Sequence, residues 1–160
     1  MITYDKKEVK YTGCPGCAYF NHEFELSCGM AYQNDDYTIS QDWELPIKGF
    51  MVISPKRHIN ELYELTDKER DELFCLVNRT IEILKSNKVA ETFILTFEER
   101  KNVHFHICII PRYDWMKTLT SDIAGDLKKI IEYAKQTFTT QKDFEGIKQV
   151  SELITQGFKK

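Results

Sequence analysis

The side chains best suited to chemistry lie together in one short segment. Three titratable residues alternate there with three apolar ones, in the order His104, Phe105, His106, Ile107, Cys108 and Ile109. Because successive side chains of a β-strand point to opposite faces, this spacing predicts a strand over 103–110 with imidazoles and a thiol on one face and core residues on the other. A neutral imidazole can act as a nucleophile or as a metal ligand. An exposed sheet face without function would show the same alternation, so the spacing alone leaves both interpretations open.

A second group of residues indicates a metal site. Cys14 and Cys17 have the Cys-x-x-Cys spacing of half a tetrahedral zinc site, and thiolates and neutral imidazoles are the ligands that zinc prefers. His58, just past a predicted strand, and one histidine of the 104–106 pair could complete the set.

The cysteines also allow other interpretations. A redox pair is expected between the strand and helix of a βαβ unit, which is not the pattern around residues 14–17. Cys28 and His22 are rival ligands because they are nearer in sequence to that pair. Cys75 lies within a run of apolar helical positions, which predicts a core residue.

Length, composition and charge narrow the class of protein. The 160 residues fit one domain, and 42% hydrophobic with 29% charged residues indicate a globular protein. A net charge of -3 argues against nonspecific nucleic-acid binding. The chain shows neither a membrane-length apolar run nor a signal peptide, and its odd number of five cysteines is unlike a secreted disulfide framework. These features predict a cytoplasmic protein that does not enter a membrane.

Apolar periodicity and turn residues predict the elements that position these groups. Strands are expected at 30–32, 37–40, 49–54, 92–97 and 103–110, and helices at 67–86 and over the apolar positions from 123 to 138 and from 144 to 158. Thr66 and Glu69 have the spacing of a capping box at the start of the first helix. The Pro15-Gly16 pair suits a tight loop. The order of elements implies an α+β domain built on an antiparallel sheet.

The motifs together resemble the histidine-triad (HIT) family. The segment from His104 to Pro111-Arg112 resembles that family's signature, and 49–58, ending in Pro-Lys-Arg-His, resembles its strand ending in Pro-Lys-x-His. Zinc-containing bacterial members also share the Cys-x-x-Cys. The resemblance implies a HIT-like antiparallel sheet of about five strands with a main helix packed on it. It also implies a homodimer, and it places the domain at 1–118, with 119–160 as a C-terminal helical extension packed on the same domain.

The resemblance assigns roles to individual residues. It implies that Cys14, Cys17, His58 and His104 bind a structural zinc ion, and that His106 is the nucleophile. The expected activity is a nucleotidyl hydrolase or transferase acting at the α-phosphate of a nucleoside phosphate, which could be a dinucleoside polyphosphate, a phosphoramidate or an adenylate. The reaction would pass through a covalent nucleotidyl-histidine.

The sequence departs from the family in two places. Cys108 stands where the third histidine belongs, which makes it the second candidate catalytic residue beside His106, although a thiol is a weak donor that cannot carry positive charge. The alternative function is therefore a nucleotide-binding or regulatory protein with weak or no catalysis. The family's Gly-Gln-Ser-like segment is also missing. Arg100 and Lys101 could bind phosphate in its place, although Glu98 and Glu99 oppose this and a solvated turn is the alternative.

Two further assignments stay open. In another register Asn102, His104 and His106 fill the triad positions, which makes His104 the nucleophile and removes it from the zinc set. Tyr113 and Trp115 could border a binding cleft, because such rings stack on bases, or could pack the sheet onto the C-terminal helices.

Overall fold

A five-stranded antiparallel sheet organises the computed structural model, which describes residues 1–98 and 103–160. The strands are β1 (Met30–Gln33), β2 (Tyr37–Gln41), β3 (Met51–Pro55), β4 (Phe93–Glu98) and β5 (His106–Pro111), arranged in the order β1-β2-β3-β5-β4. The helices in these ranges are α1 (Pro15–Phe20), α2 (Asp67–Ser86), α3 (Asp114–Leu119), α4 (Leu127–Thr137) and α5 (Gln141–Phe158). The α+β class and the antiparallel sheet with a main helix and C-terminal helices are confirmed.

Local hydrogen bonds explain the elements that the sequence predicts best. The side chain of Asn34 accepts the amides of Asp36 and Tyr37 at 3.0 and 2.7 Å, which turns the chain between β1 and β2. The hydroxyl of Thr66 accepts the amide of Glu69 at 3.3 Å, and Glu69 accepts the amide of Thr66 at 2.7 Å. This capping box starts α2 at the predicted residue.

One face of the sheet carries the larger hydrophobic core. Phe105, Ile107 and Ile109 point to this face, as their alternation predicts, and α2 and α5 cover it. From α5, Val150 and Ile154 contribute to the same core. The C-terminal helix α5 is thus part of the packing of the sheet, while the domain boundary at residue 118 stays a prediction.

The second face of the sheet is divided into two halves. One half is covered by α3 and α4, where Cys108 and Ile110 of β5 pack with the buried side chains of Met116 and Ile130. We call this the apolar half. The other half is polar and carries the cleft described below.

Several elements differ from the predictions. The Cys-Pro-Gly-Cys segment forms helix α1 rather than a tight loop, since the fixed φ of Pro15 suits the first helical position. Strand β5 begins at His106 instead of residue 103, because the amide of Phe105 donates to Ile59 O at 2.8 Å outside the strand pairing. Ile123 lies in a turn before α4, where Asp122 accepts the amide of Gly125 at 2.9 Å.

Cys75 and Phe74 are exposed, so the prediction that Cys75 is a core residue is wrong. Both point away from the buried side of α2, which presents Leu73, Leu76 and Val77. In the described ranges, the chain has no helix with the length and apolar character needed to cross a membrane.

Candidate metal centre and ligand cleft

Four side chains from three separate segments converge on one point. The ligand atoms of Cys14, Cys17, His58 and His104 all lie within 4.8 Å of one another. Cys17 Sγ is 3.2 Å from His58 Nδ1, and His104 Nδ1 is 3.5 and 3.6 Å from the two sulfurs. A tetrahedral zinc ion with bonds of 2.0–2.3 Å separates its ligand atoms by about 3.3–3.8 Å. The three distances lie close to this range, and two thiols with two imidazoles are a donor set that zinc prefers.

The secondary structure explains how these donors meet. Cys14 and Cys17 lie three residues apart at the start of α1, so their side chains share one side of the helix. His58 follows β3, and His104 precedes β5, which pairs with β3. The cluster therefore joins the N-terminal helix to two adjacent strands.

The surroundings of the cluster shift the pKa of His104 and that of Cys17 in opposite directions. His104 Nε2 lies 2.7 Å from Pro55 O and must donate to it, because a carbonyl only accepts, so Nδ1 keeps its lone pair towards the thiols. Burial lowers the pKa of His104 and keeps the ring neutral. Burial and the nearby Cys14 thiol raise the pKa of Cys17 to about 11. A bound cation would favour the thiolate instead.

The rival ligands lie elsewhere. Cys28 Sγ is 2.7 Å from the hydroxyl oxygen of Tyr4, and His22 is exposed. Neither belongs to the four-donor cluster. The structure thus brings together the four residues that the resemblance indicates.

A cavity of about 360 Å³ lies beside the cluster, on the polar half of the second sheet face. We call it the ligand cleft. Its floor is formed by side chains of β2, β3 and β5: Thr38, Ser40, Val52, Ser54 and His106. Its walls come from α1, from the N-terminal segment before it and from the segment after β2: Met1, Tyr11, Pro15, Gly16, Phe20, Asp42, Trp43, Glu44 and Leu45. Val103 and His104 complete the lining.

The ring of His106 is held by the residue two positions earlier. His106 Nδ1 lies 2.9 Å from His104 O. Since this oxygen can only accept, Nδ1 carries a proton and donates it, which leaves the lone pair of the neutral ring on Nε2. His106 is half-buried in the floor of the cleft, so one ring has both a fixed tautomer and access to a ligand.

The structure does not bring Cys108 into the cleft. Its exposed fraction is 6%, and it belongs to the apolar half with Met116 and Ile130. Arg100 and Lys101, predicted to bind phosphate, lie outside the described residues, as does Asn102 of the alternative register.

Asp42 and Trp43 are among the cleft residues that the sequence does not single out. Asp42 Oδ1 accepts the amides of Glu44 and Leu45 at 2.9 Å each. Burial raises the pKa of Asp42 to about 6, although these bonds and His106 oppose the shift. The available signal was an acidic residue followed by an aromatic one directly after β2.

Trp115 packs against the C-terminal helices instead of lining the ligand cleft. Its ring stacks on Tyr133 with centroids 5.4 Å apart and meets the edge of Phe138 at 5.2 Å. The Tyr113 hydroxyl donates to Lys48 O at 2.6 Å. Tyr113 and Trp115 also line a separate cavity of about 670 Å³ beside α5.

Comparison with known proteins supports the same reading of the motifs. A family model described as the HIT domain matches residues 23–115, more than half of the chain. An uncharacterized HIT-like protein of Methanocaldococcus jannaschii is 29% identical over 107 residues, which cover 63% of this chain and 80% of that protein.

Two solved structures show the shared fold. A hypothetical histidine triad nucleotide-binding protein of Sulfolobus tokodaii has a TM-score of 0.63 and 17% identity, with 91% of this chain and 94% of that one covered. A Zn-bound histidine triad family protein of Mycobacterium smegmatis has a TM-score of 0.64 and 12% identity, with 91% and 95% covered.

Proposed function

The chain belongs to the HIT domain family, and we propose that it binds a nucleoside phosphate in the ligand cleft. In this proposal, the protein hydrolyses or transfers the nucleotidyl group through His106. The substrate class is a dinucleoside polyphosphate, a nucleoside phosphoramidate or an adenylate. The hydrogen bond from His106 Nδ1 to His104 O carries the proposal, because it leaves a nucleophilic lone pair on the other ring nitrogen.

The reaction proceeds by two displacements at the α-phosphorus. In the first, His106 Nε2 forms a bond to phosphorus, the bond to the leaving group breaks, and that group departs with the electron pair. In the second, water or another acceptor attacks, the phosphorus–nitrogen bond breaks, the lone pair returns to Nε2, and the acceptor loses its proton to solvent. The carbonyl of His104 stabilises the cationic ring of the intermediate through the bond at Nδ1.

The cleft has the size and chemistry for a nucleotide. Its volume falls within the usual range of small-molecule sites, about 300–1,000 Å³. Phe20 and Trp43 offer aromatic surface to a base, and the carboxylate of Asp42 can accept hydrogen bonds from sugar hydroxyls. The histidine triad nucleotide-binding protein of S. tokodaii supports this ligand class.

His106 can be tested as the nucleophile with adenosine phosphoramidate and diadenosine polyphosphates. We expect the wild type to release nucleotide and His106→Ala to lose this activity, while His22→Ala, which changes an exposed histidine outside the cleft, keeps it. Mass spectrometry of rapidly quenched wild type should find the nucleotidyl group on the peptide containing His106. Equal nucleotide release by wild type and His106→Ala would refute the assignment.

A second candidate function is nucleotide binding without efficient turnover. The burial of Cys108 in the apolar half favours it, because no imidazole stands at the third triad position to assist the leaving group. Calorimetry with AMP, combined with the release assay, separates the two functions. Tight binding without release would select the second, and no binding would contradict both.

We propose that the four-donor cluster holds one structural zinc ion. When bound, zinc supplies a cross-link between α1 and the sheet, and all four donors are protein side chains. The Zn-bound M. smegmatis protein supports this identity. A reducing cytoplasm, where we place the protein, would keep the thiols available for metal.

Metal analysis of protein purified without chelators tests this site. We expect one zinc per chain, lost in Cys14→Ala and retained in Cys28→Ala, which removes a thiol outside the cluster. The reverse pattern would move the metal to Cys28 and His22.

We further propose a homodimer formed through the edge strand β4 and the adjacent side of α2. Leu95 and Phe97 of β4 are 42% and 46% exposed, and Phe74 of α2 is 43% exposed. Arg79 and Ile83 face α5, since they contact Gly157. At 100° per residue, Phe74 lies on the opposite side of α2, towards the β5–β4 end of the sheet. These positions support one apolar patch beside an edge strand, an arrangement that favours pairing.

Light scattering of size-fractionated protein tests the dimer. We expect the mass of two chains for the wild type and of one chain for Phe97→Glu, because a charge cannot be buried in an apolar interface at low cost. Ile2→Glu is the control, since Ile2 is also exposed but lies on the N-terminal bridge with Glu8. A wild-type monomer would contradict the proposal.

A further inference from the structure

Helix α1 belongs to both the metal cluster and the ligand cleft. Cys14 and Cys17 supply two of the four donors. From the same helix, Pro15, Gly16 and Phe20 line the cleft. One wall of the cleft is therefore formed by the same helix that the metal would bind.

The wall also packs directly on a metal-facing side chain. A Cβ atom added at Gly16 would lie 2.9 Å from His104 Nδ1, so a larger residue cannot fit without moving that ring. The ring of Phe20 meets the His104 ring edge-on, with centroids 5.3 Å apart. Since Nδ1 is the nitrogen that faces the two thiols, the positions of wall and donor are linked.

Helix α1 is too short to hold itself in place. It has six residues, and its N-cap Cys14 makes no side-chain capping bond. Isolated helices shorter than about 12 residues are marginal in water, so tertiary contacts must fix α1. Tyr19 supplies one such contact, with its ring 5.0 Å from that of Trp43 across the cleft wall. The cluster at Cys14 and Cys17 supplies a further anchor, at the opposite end of the helix.

We propose that α1 is a metal-dependent wall of the ligand cleft, with Gly16 and Phe20 as positioning residues, so that metal and nucleotide bind with positive coupling. The nucleotide part rests on the proposed function. Coupling of binding free energies is reciprocal, so a ligand that needs the ordered wall must also raise the affinity of the cluster for metal.

The coupling is measured on the full chain by titrating zinc against a chromophoric chelator, with and without saturating AMP. We expect AMP to raise the zinc affinity at least about fivefold. If calorimetry shows that AMP binds the zinc-loaded protein while the zinc affinity stays the same, the coupling is refuted and the proposed function stands.

A readout that needs no nucleotide tests the wall itself. Trp43 lines the cleft and Trp115 does not, so Trp115→Phe leaves one reporter, as the chain has two tryptophans. Removing zinc should increase quenching of Trp43 by acrylamide while circular dichroism shows the helices retained. Unchanged quenching would refute the wall. If AMP fails to bind at all, the nucleotide function is wrong and this measurement still decides the wall.

If the zinc-free chain unfolds, the quenching measurement cannot be made, and a pair of glycine variants tests the proposal instead. Gly16→Ala and Gly146→Ala are both helical substitutions, but the added Cβ at Gly146 meets only Lys48 Cδ at 3.6 Å. We expect Gly16→Ala to weaken zinc and AMP binding together, each at least about fivefold, and Gly146→Ala to change neither. Weakened zinc binding in Gly16→Ala with wild-type AMP affinity on the zinc-loaded protein would refute the proposal.

Discussion

His106 and Cys108 are successive residues on one face of β5, but the first lies in the polar half of that sheet face and the second in the apolar half. His106 is half-buried in the floor of the cleft, to which Thr38, Ser40 and Ser54 contribute hydroxyl groups. Cys108, the next residue on that face, is covered by α3 and α4. The helices α3 and α4 thus make position 108 part of the core, while position 106 stays open to the ligand cleft. Adjacent positions on one face of a strand can therefore differ completely in their access to a ligand, depending on which helices cover them.

The largest loss of stability is expected when a buried side chain of the apolar half is truncated. Ile130 of α4 is fully buried there, and Ile130→Ala should lower the free energy of unfolding by about 3 kcal/mol through lost burial and a residual cavity. Urea denaturation measures this, with Ile131→Ala as a half-buried control that should cost less. Zinc content and AMP affinity should not change. A parallel loss of AMP affinity would show that the two halves depend on each other.

A histidine introduced at position 108 tests whether the apolar half keeps this position away from a ligand. Cys108→His places a larger polar ring among apolar side chains, so we expect the unfolding free energy to fall by about 2 kcal/mol with no gain in nucleotide release. Cys108→Ala, which adds no volume, is the control for loss of the thiol. An increase in turnover in Cys108→His would mean that α4 leaves this position open to substrate.

A smaller change of opposite sign, an increase in the free energy of unfolding, is expected for a substitution in the cleft. Asp42 has its pKa raised to about 6 by burial, above an ordinary value near 3.9, so the folded state holds the proton longer than the unfolded state. Ionisation therefore costs stability as the pH rises through this window. A pKa rise of this size would correspond to about 3 kcal/mol for a fully buried carboxyl group. Asp42 is only half-buried and solvent screens part of its charge, so Asp42→Asn should be about 1 kcal/mol more stable than wild type at about pH 8, a difference that vanishes below about pH 4.

Asp42→Asn should also bind AMP more weakly, because the amide is a poorer acceptor than a carboxylate for sugar hydroxyls. Denaturation curves at both pH values and calorimetry measure the two effects. A stability difference that is the same at both pH values would contradict a raised pKa, and unchanged AMP affinity would remove Asp42 from the ligand site.

Much of the sheet could be predicted because its signals are local. The alternation of Phe105, Ile107 and Ile109 predicts their common face, and the capping box at Thr66 predicts the start of α2. The cluster at Cys14 could be anticipated from spacing and family resemblance, since its partners belong to motifs that are each visible in the sequence.

What the sequence does not predict depends on contacts between distant segments. Helix α1 is shorter than two helical turns, so it has no periodicity to detect, and its Pro15 is as typical of a turn as of a helix start. The amphipathic face of α4 is visible in the sequence, but its docking over Cys108 is a tertiary contact. The placement of Trp43 in the cleft likewise depends on how the segment after β2 folds back towards α1.

His104 meets three separate demands with three different atoms. Its Nδ1 faces the thiols, its Nε2 donates to Pro55 O, and its carbonyl accepts from His106. A substitution there removes both ring contacts at once and keeps only the backbone carbonyl, so a defect in a His104 variant cannot be assigned to the metal cluster or to the fold alone. Each role has to be tested at the partner that it alone involves, with Cys14 for the proposed metal site and His106 for the proposed reaction. For the same reason, we expect few single substitutions at His104 to leave both the cluster and the fold unchanged. Evolutionary change at this position should require compensating changes at several contacting positions together.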